Sequence, residues 1–305
     1  MKGIHYKTWL RILKATYTKW WDDDPFRQSA AIAYYALFSL PALLVIIVDL
    51  AGIFFGDAAV SGKIADAISG AMGADTALQV QDMIAVASRH RHSVIASAVG
   101  VITILVGATG VFTELQKSLN YIWEVKPKER QVFIKFLRNK LFSFGLIISI
   151  GFMLLVSLVL TSLITAFGDW ISSHFISIPT YVLHLVNELF SLTFITLLFG
   201  LMYKYLPDAD TKWRSIWPGA ILTSFLFIIG KYALGLYFGK FQPTSTYGTA
   251  GSVILILLWA SYSCMILFFG AEFTKQYAKH QGDIEPRGNA EKVIGPQNPI
   301  TVKPE

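Results

Sequence analysis

The sequence is poor in cysteine, in charge and in catalytic pattern. Among its 305 residues there is one cysteine, Cys264, set in an apolar run. A single cysteine excludes an intramolecular disulfide and any cysteine-built metal cluster. Charged residues make up 15% of the chain, against 54% hydrophobic ones, whereas soluble domains carry roughly 25% charge. Too few polar groups are present to cover a soluble protein of this length, and the mean hydropathy is +0.51. No G-x-x-x-x-G-K-[ST], H-E-x-x-H or G-x-S-x-G occurs, so the common phosphate loop, zinc-protease helix and hydrolase elbow are missing. The six histidines, at 5, 90, 92, 174, 184 and 280, are too scattered to converge on one metal. No cofactor, no metal and no enzymatic activity are expected. RNP-type aromatic motifs are absent too, and with the basic residues placed in loops this argues against nucleic acid as a partner.

What is present is length in apolar runs. A bilayer core of ~30 Å needs about 20 apolar residues in a helix. Six segments qualify, at about 29–55, 93–112, 141–167, 178–203, 217–238 and 248–270. The expected fold is all-α, a polytopic integral membrane protein with six transmembrane helices, an amphipathic N-terminal helix and short outer-face helices. Asp24 can cap the first span with Pro25 at its first helical position, and Pro41 should kink it. Loop charge sets the expected orientation. Residues 1–28, 113–140, 204–216 and 271–305 hold 21 Lys and Arg, and the alternate loops hold four. The positive-inside rule then places both termini in the cytoplasm.

The flanks read differently from the spans. In residues 6–21, Trp9, Ile12, Leu13, Tyr17 and Trp20 can share one helical face, with Lys7, Arg11, Lys14 and Thr18 leaning to the other. That pattern suits a helix lying on the inner leaflet or an ordinary helix packed against the bundle. Residues 1–28 are therefore one cytoplasmic amphipathic segment, too basic and polar for a signal peptide. The loop 56–92 has apolar residues at helical spacing (Ile64, Ile68, Leu78, Met83, Ile84), which predicts short helices on the outer face. The membrane domain covers 29–275. Residues 276–305, ending in a stretch rich in Pro, Gly and charge, are expected to be a disordered cytoplasmic tail.

Ionisable residues inside a span are costly and usually have a partner. Glu188 in the fourth span and Lys231 in the fifth lie at similar estimated depth on antiparallel neighbours, which suggests an ion pair, structural or on a substrate or ion path. His184, four residues away, shares the Glu188 face, and Asn187 is adjacent. At the inner rim, Arg138 and Lys140 can reach headgroup phosphates, and Glu114 and Asn120 form a polar group at the end of the second span. Gly235 and Gly239 form a G-x-x-x-G suited to helix packing. The turn Tyr247, Gly248, Gly251, Ser252 opens the sixth span at the outer end. Two uses are open there: close packing, or a helix N-terminus facing an anionic group.

Five stretches taken together resemble the YihY / virulence factor BrkB family of bacterial inner-membrane proteins: "SAAIAYYALFSLPALLVI" (29–46), "GVFTELQKSLNYIWEV" (110–125), "FSFGLIISIGFMLLVSLVL" (142–160), "LPDADTKWRSIWPGAILTSFLF" (206–227) and "YGTAGSVILILLWASYSCMILFFGAEFTK" (247–275). The resemblance covers about residues 20–280. One departure is local: the family's Ser-x-x-Pro appears one residue tighter, as Ser39-Leu-Pro41. The resemblance implies a bacterial inner-membrane location and envelope roles, including transport of lipid or lipopolysaccharide precursors and sodium/proton exchange. The family's old label, ribonuclease BN, finds no nuclease residues here.

The expected function is therefore a transport-type protein that binds or moves an anionic lipid or glycolipid precursor, with membrane lipids as its partners and a homo-oligomer possible. One alternative is a cation (sodium)/proton antiporter using Glu188. Another is a non-transporting envelope structural or assembly partner.

Overall fold

The computed structural model describes residues 6–39, 94–127, 180–241, 249–286 and 290–292, with scattered helical positions between 61 and 85. The elements are α1 (Tyr6–Asp22), α2 (helical over 25–39), α3 (Val94–Ile122), β1 (Val125–Pro127), α4 (Thr180–Tyr205), β2 (Ala209–Thr211), α5 (Trp213–Phe241), α6 (Thr249–Gln281), β3 (Ile284–Pro286) and β4 (Ala290–Lys292). The described residues are mostly helical, as the sequence predicts. Among the described residues, two helices are long and apolar enough to cross a membrane, along Trp213–Tyr237 and Val253–Gln281, and Ser191–Tyr205 is a shorter apolar helix. The predicted third span, Pro41 and most of the loop 56–92 lie outside the described residues.

The helix ends are set by backbone chemistry. Asp24 takes a positive φ of 51°, a conformation Asp tolerates better than most residues. It closes α1 through its N–H to the Trp21 carbonyl, and its own carbonyl accepts the Gln28 N–H of α2. Pro25 opens α2, where its missing N–H costs nothing. At the end of α6, Gly282 has φ +69°. Its N–H bonds the Lys279 carbonyl, and the Asp283 N–H bonds the Ala278 carbonyl. That paired pattern is the Schellman stop, and it turns the chain back across the end of the bundle.

The C-terminal segment departs from the expected disordered tail. α6 runs to Gln281, and the residues after it add one strand to each of two short antiparallel sheets. β3 pairs with β2, aligning Asp210 with Glu285, and β4 pairs with β1, aligning Lys126 with Glu291. The composition of this stretch suggested disorder, yet main-chain pairing to distant loops orders it.

α4 and α5 form an antiparallel hairpin, and α5 packs along α6. Small residues permit the approach. A Cβ on Gly270 would sit 1.7 Å from Thr223 Oγ1, and one on Gly219 would sit 1.8 Å from Thr274 Oγ1. Likewise Gly107 and Gly110 of α3 lie against Ser39 and Tyr35 of α2. The core gathers Leu119, Ile122, Trp123, Tyr203, Ile216, Leu267 and Phe268. On the opposite side of α5, Trp217, Ile221, Phe225, Ile229, Tyr232 and Leu236 are exposed at intervals of three and four. A continuous apolar helical face of this kind suits lipid rather than water.

Candidate functional site

One end of the bundle, called the polar end here, collects the α1–α2 turn, the end of α3, the α4–α5 loop and the end of α6. On α6, Glu272, Lys275 and Gln276 are spaced i, i+3, i+4 and so share one face. Glu272 is 0% exposed and Lys275 4%. Gln276 Nε2 donates to Glu272 Oε1, and Lys275 Nζ donates to Glu272 Oε2 at 3.4 Å. Lys275 Nζ also reaches Glu124 Oε1 at 2.9 Å. Glu124 ends α3 with a positive φ of 55°, and its side chain is 39% exposed.

Burial alone would raise the Glu124 carboxyl. The Lys275 hydrogen bond and charge, helped by Lys279 and Lys19, outweigh it and hold Glu124 below its ordinary value. Asp23 goes the other way. Burial raises it, Lys275 and Lys19 oppose that, and Asp22 and Glu124 add to it. Beside the cluster lies a narrow crevice, too tight for a water molecule, lined by Trp20, Asp23, Pro25, Gln28, Ile122, Phe268 and Glu272.

Around this cluster stand ties between elements. Asn120 Nδ2 donates to Asp208 Oδ2 at 3.0 Å, and the Asp208 N–H donates back to Asn120 Oδ1 at 2.7 Å. Tyr203 bonds Thr223 Oγ1 at 2.8 Å and the Leu267 carbonyl at 2.9 Å, joining α4, α5 and α6. Asp283, whose side chain is 1% exposed, receives Arg214 Nε and Nη2 at 2.6 Å each, Lys212 Nζ at 3.0 Å and Ser215 Oγ at 2.8 Å. The Arg214 hydrogen bonds lead in holding its carboxyl far below the ordinary range. No group of three or more metal-ligating side chains converges among the described residues.

The residues singled out in the sequence divide into three sets. Asn120 is buried, with its carbonyl and an N–H spent on Asp208. Glu114 is half-buried and pairs with Lys117 at 2.8 Å. Gly251 is buried in the first turn of α6, and Ser252 lies beside it in the same helix. Arg138, Lys140, Tyr247 and Gly248 lie outside the described residues, as do the side chains of His184, Asn187, Glu188 and Ser252. Lys231 is exposed on α5.

The hairpin's register bears on Glu188 and Lys231. Tyr203 meets Thr223 and Phe199 meets Phe227. Continuing in steps of four residues puts Ile195 level with Lys231 and Asn187 level with Gly239. The backbones at Glu188 and Lys231 are then two turns apart, on the order of 10 Å along the axis.

Sequence reasoning missed the Glu272–Lys275–Glu124 network and the Asp283 clamp. A local signal existed for the first: three polar side chains at i, i+3, i+4 where the last apolar run ends. Nothing local points to Glu124, which lies 151 residues from Lys275.

The family profile described as Virulence factor BrkB matches residues 16–293. A UPF0761 membrane protein of Mannheimia succiniciproducens is 26% identical over 273 residues, covering 88% of this chain and 90% of its own. One from Alteromonas mediterranea is 29% identical over 180 residues, 58% of each chain. Another, from Stenotrophomonas maltophilia, is 24% identical over 269 residues, covering 84% of this chain. In the last two cases the match spans 58% of the relative's length. No solved structure matches. The family profile, the membrane-protein relatives and the two apolar helices agree: this chain belongs to the Virulence factor BrkB family and is a membrane protein.

Proposed function

We propose that this chain is a transport-type protein that binds and moves an anionic lipid or glycolipid precursor of the bacterial envelope. The observation that carries this reading is Lys275, a buried ammonium whose hydrogen-bond partners among the described residues are both carboxylates. Of the two, Glu124 is the more exposed. A phosphate that replaces Glu124 keeps a charge-assisted bond to Lys275, against repulsion from Glu272 and Asp23. Phe268, Ile122 and Trp20 in the crevice supply an apolar wall for the rest of an amphipathic guest.

On this reading the polar end is cytoplasmic, as the loop charges imply, in the inner membrane. Arg138 and Lys140 gather headgroups there, and Lys231 and Glu188 are successive polar levels along α5 and α4 rather than one pair. No catalytic step, cofactor or nucleic acid enters. Without an ATP motif, movement is driven by an ion gradient or runs downhill between leaflets. The test is reconstitution with a fluorescent anionic phospholipid. Lys275→Gln should cut its transbilayer rate at least tenfold while a zwitterionic probe is little affected. Flux no higher than in empty vesicles across a panel of anionic lipids rejects the reading.

A second reading, cation/proton exchange, is favoured by one feature. Asp23, Glu124 and Glu272 gather around a single buried ammonium, and burial raises Asp23. Neighbouring carboxylates of this kind suit a shared proton or cation, with Lys19 and Lys279 as the further cations nearby. Sodium-induced recovery of a pH dye in everted vesicles, abolished by Glu272→Gln, would favour it over lipid movement. A structural envelope role is the outcome if neither flux appears and a stoichiometric partner copurifies.

A further inference from the structure

α1 presents three distinct faces, and one of them has an evident use within the described residues. Ile12 and Thr16 are buried, and Trp9 and Trp20 lean the same way. Trp9 stacks on Phe273 at 5.9 Å, and Trp20 donates its indole N–H to the Met265 carbonyl at 3.2 Å. That face docks α1 on α6. The sequence pattern had grouped Leu13 and Tyr17 with these residues, but they belong elsewhere. Tyr6, Leu10, Leu13, Tyr17 and Trp21 recur at intervals of three and four and are all exposed. Lys7, Arg11 and Lys14, exposed too, fall on the next strip around the helix, and none meets a carboxylate among the described residues.

The apolar strip does not end with α1. Trp21 meets Phe26 edge-on at 5.7 Å across the turn, and the exposed surface resumes on α2 with Tyr34 against Phe38 at 4.9 Å. α2 lies in the first long apolar run of a membrane protein, so its outward face meets acyl chains. A surface continuous with a lipid-facing one, bordered by unpaired cations, has the character of an interfacial helix. We infer that α1 is an anionic-lipid-binding surface: Tyr6, Leu10, Leu13, Tyr17 and Trp21 sink into the leaflet, and Lys7, Arg11 and Lys14 bind phospholipid phosphates. Docking on α6 through Trp9 and Trp20 holds the helix at a fixed depth beside the crevice. This inference does not depend on transport and stands or falls separately from it.

Spin-label depth measurement on the full chain tests it. In a Cys264→Ser background, labels at Leu13→Cys, Tyr17→Cys and Arg11→Cys are read in nanodiscs containing phosphatidylglycerol. Labels at 13 and 17 should be accessible to oxygen and shielded from a water-soluble nickel relaxant, and the label at 11 should show the reverse. Equal nickel access at all three positions overturns the inference. So does shielding of 13 and 17 from both reagents, which means that protein covers the strip. The headgroup part is tested by the ratio of phosphatidylglycerol to phosphatidylcholine retained by the purified protein. Lys7, Arg11 and Lys14 changed together to Gln should lower it toward the ratio of the membrane from which the protein is extracted. An unchanged ratio overturns the anionic preference. Lys14→Gln alone, expected to lower it part of the way, serves if the triple variant does not insert.

Discussion

Replacing Lys275 by Met keeps the unbranched apolar stem and removes the ammonium. Glu272, with no exposed surface, is then left with Gln276 as its donor, and Glu124 loses its nearest cation. Removing one partner of a buried ion pair costs about 3–5 kcal/mol. The lower end applies here, about 3 kcal/mol, because Glu124 is half exposed and turns to water while Gln276 still donates. At roughly 2–4 °C per kcal/mol for a chain of this size, the melting temperature should fall by about 6–12 °C. The assay is a thermal melt of the purified protein in mild detergent, followed by size-exclusion fluorescence. Adding Glu272→Gln to Lys275→Met removes the stranded carboxylate. The double variant should therefore melt higher than the two single effects added together predict, with a coupling of about 1–3 kcal/mol. A parent-like melt for Lys275→Met, or strict additivity in the double variant, would refute the claim that this is a stabilising buried pair.

Three further outcomes are expected. Gly270→Ala places a Cβ 1.7 Å from Thr223 Oγ1 and 2.9 Å from its Cβ; it should destabilise α5–α6 packing by about 1–3 kcal/mol, and a thermal melt should show Thr223→Ala recovering part of the loss. Asp283 has a depressed carboxyl pKa, so its stabilisation is present above the ordinary value of 3.8 and is lost only as pH falls through the lower folded value. Amide exchange at Ile284 and Glu285 should then stay slow, after correction for intrinsic rates, from neutral pH down to about 4, whereas Asp283→Asn speeds it at neutral pH. In reconstituted flux assays, Glu188→Gln and Lys231→Met should each lower the rate without blocking insertion; full activity in both removes these residues from the path.

The membrane class was legible because it depends on composition, which no tertiary arrangement can alter. The α1 pattern was legible only as amphipathic. A single helical wheel merges the face that meets protein with the exposed apolar face, and only the docked α6 separates Trp9, Ile12 and Trp20 from Leu13 and Tyr17. Asn120 was readable as polar at a helix end, but not as satisfied, because its partner Asp208 lies 88 residues away. The described residues just after α6 are a related case. Residues 284–286 and 290–292 lack the apolar content to fold alone, and they gain order from strands after α3 and before α5.

Read alone, the sequence determined the medium, the helical class, the turn at Asp24 and Pro25, and the family resemblance, all of which depend on local composition or short-range spacing. Tertiary structure decided which charges are buried together. Glu124, Glu272 and Lys275 become a network only when the end of α3 is brought against α6, since a charge's cost and partner are set by what surrounds it in space rather than in the chain.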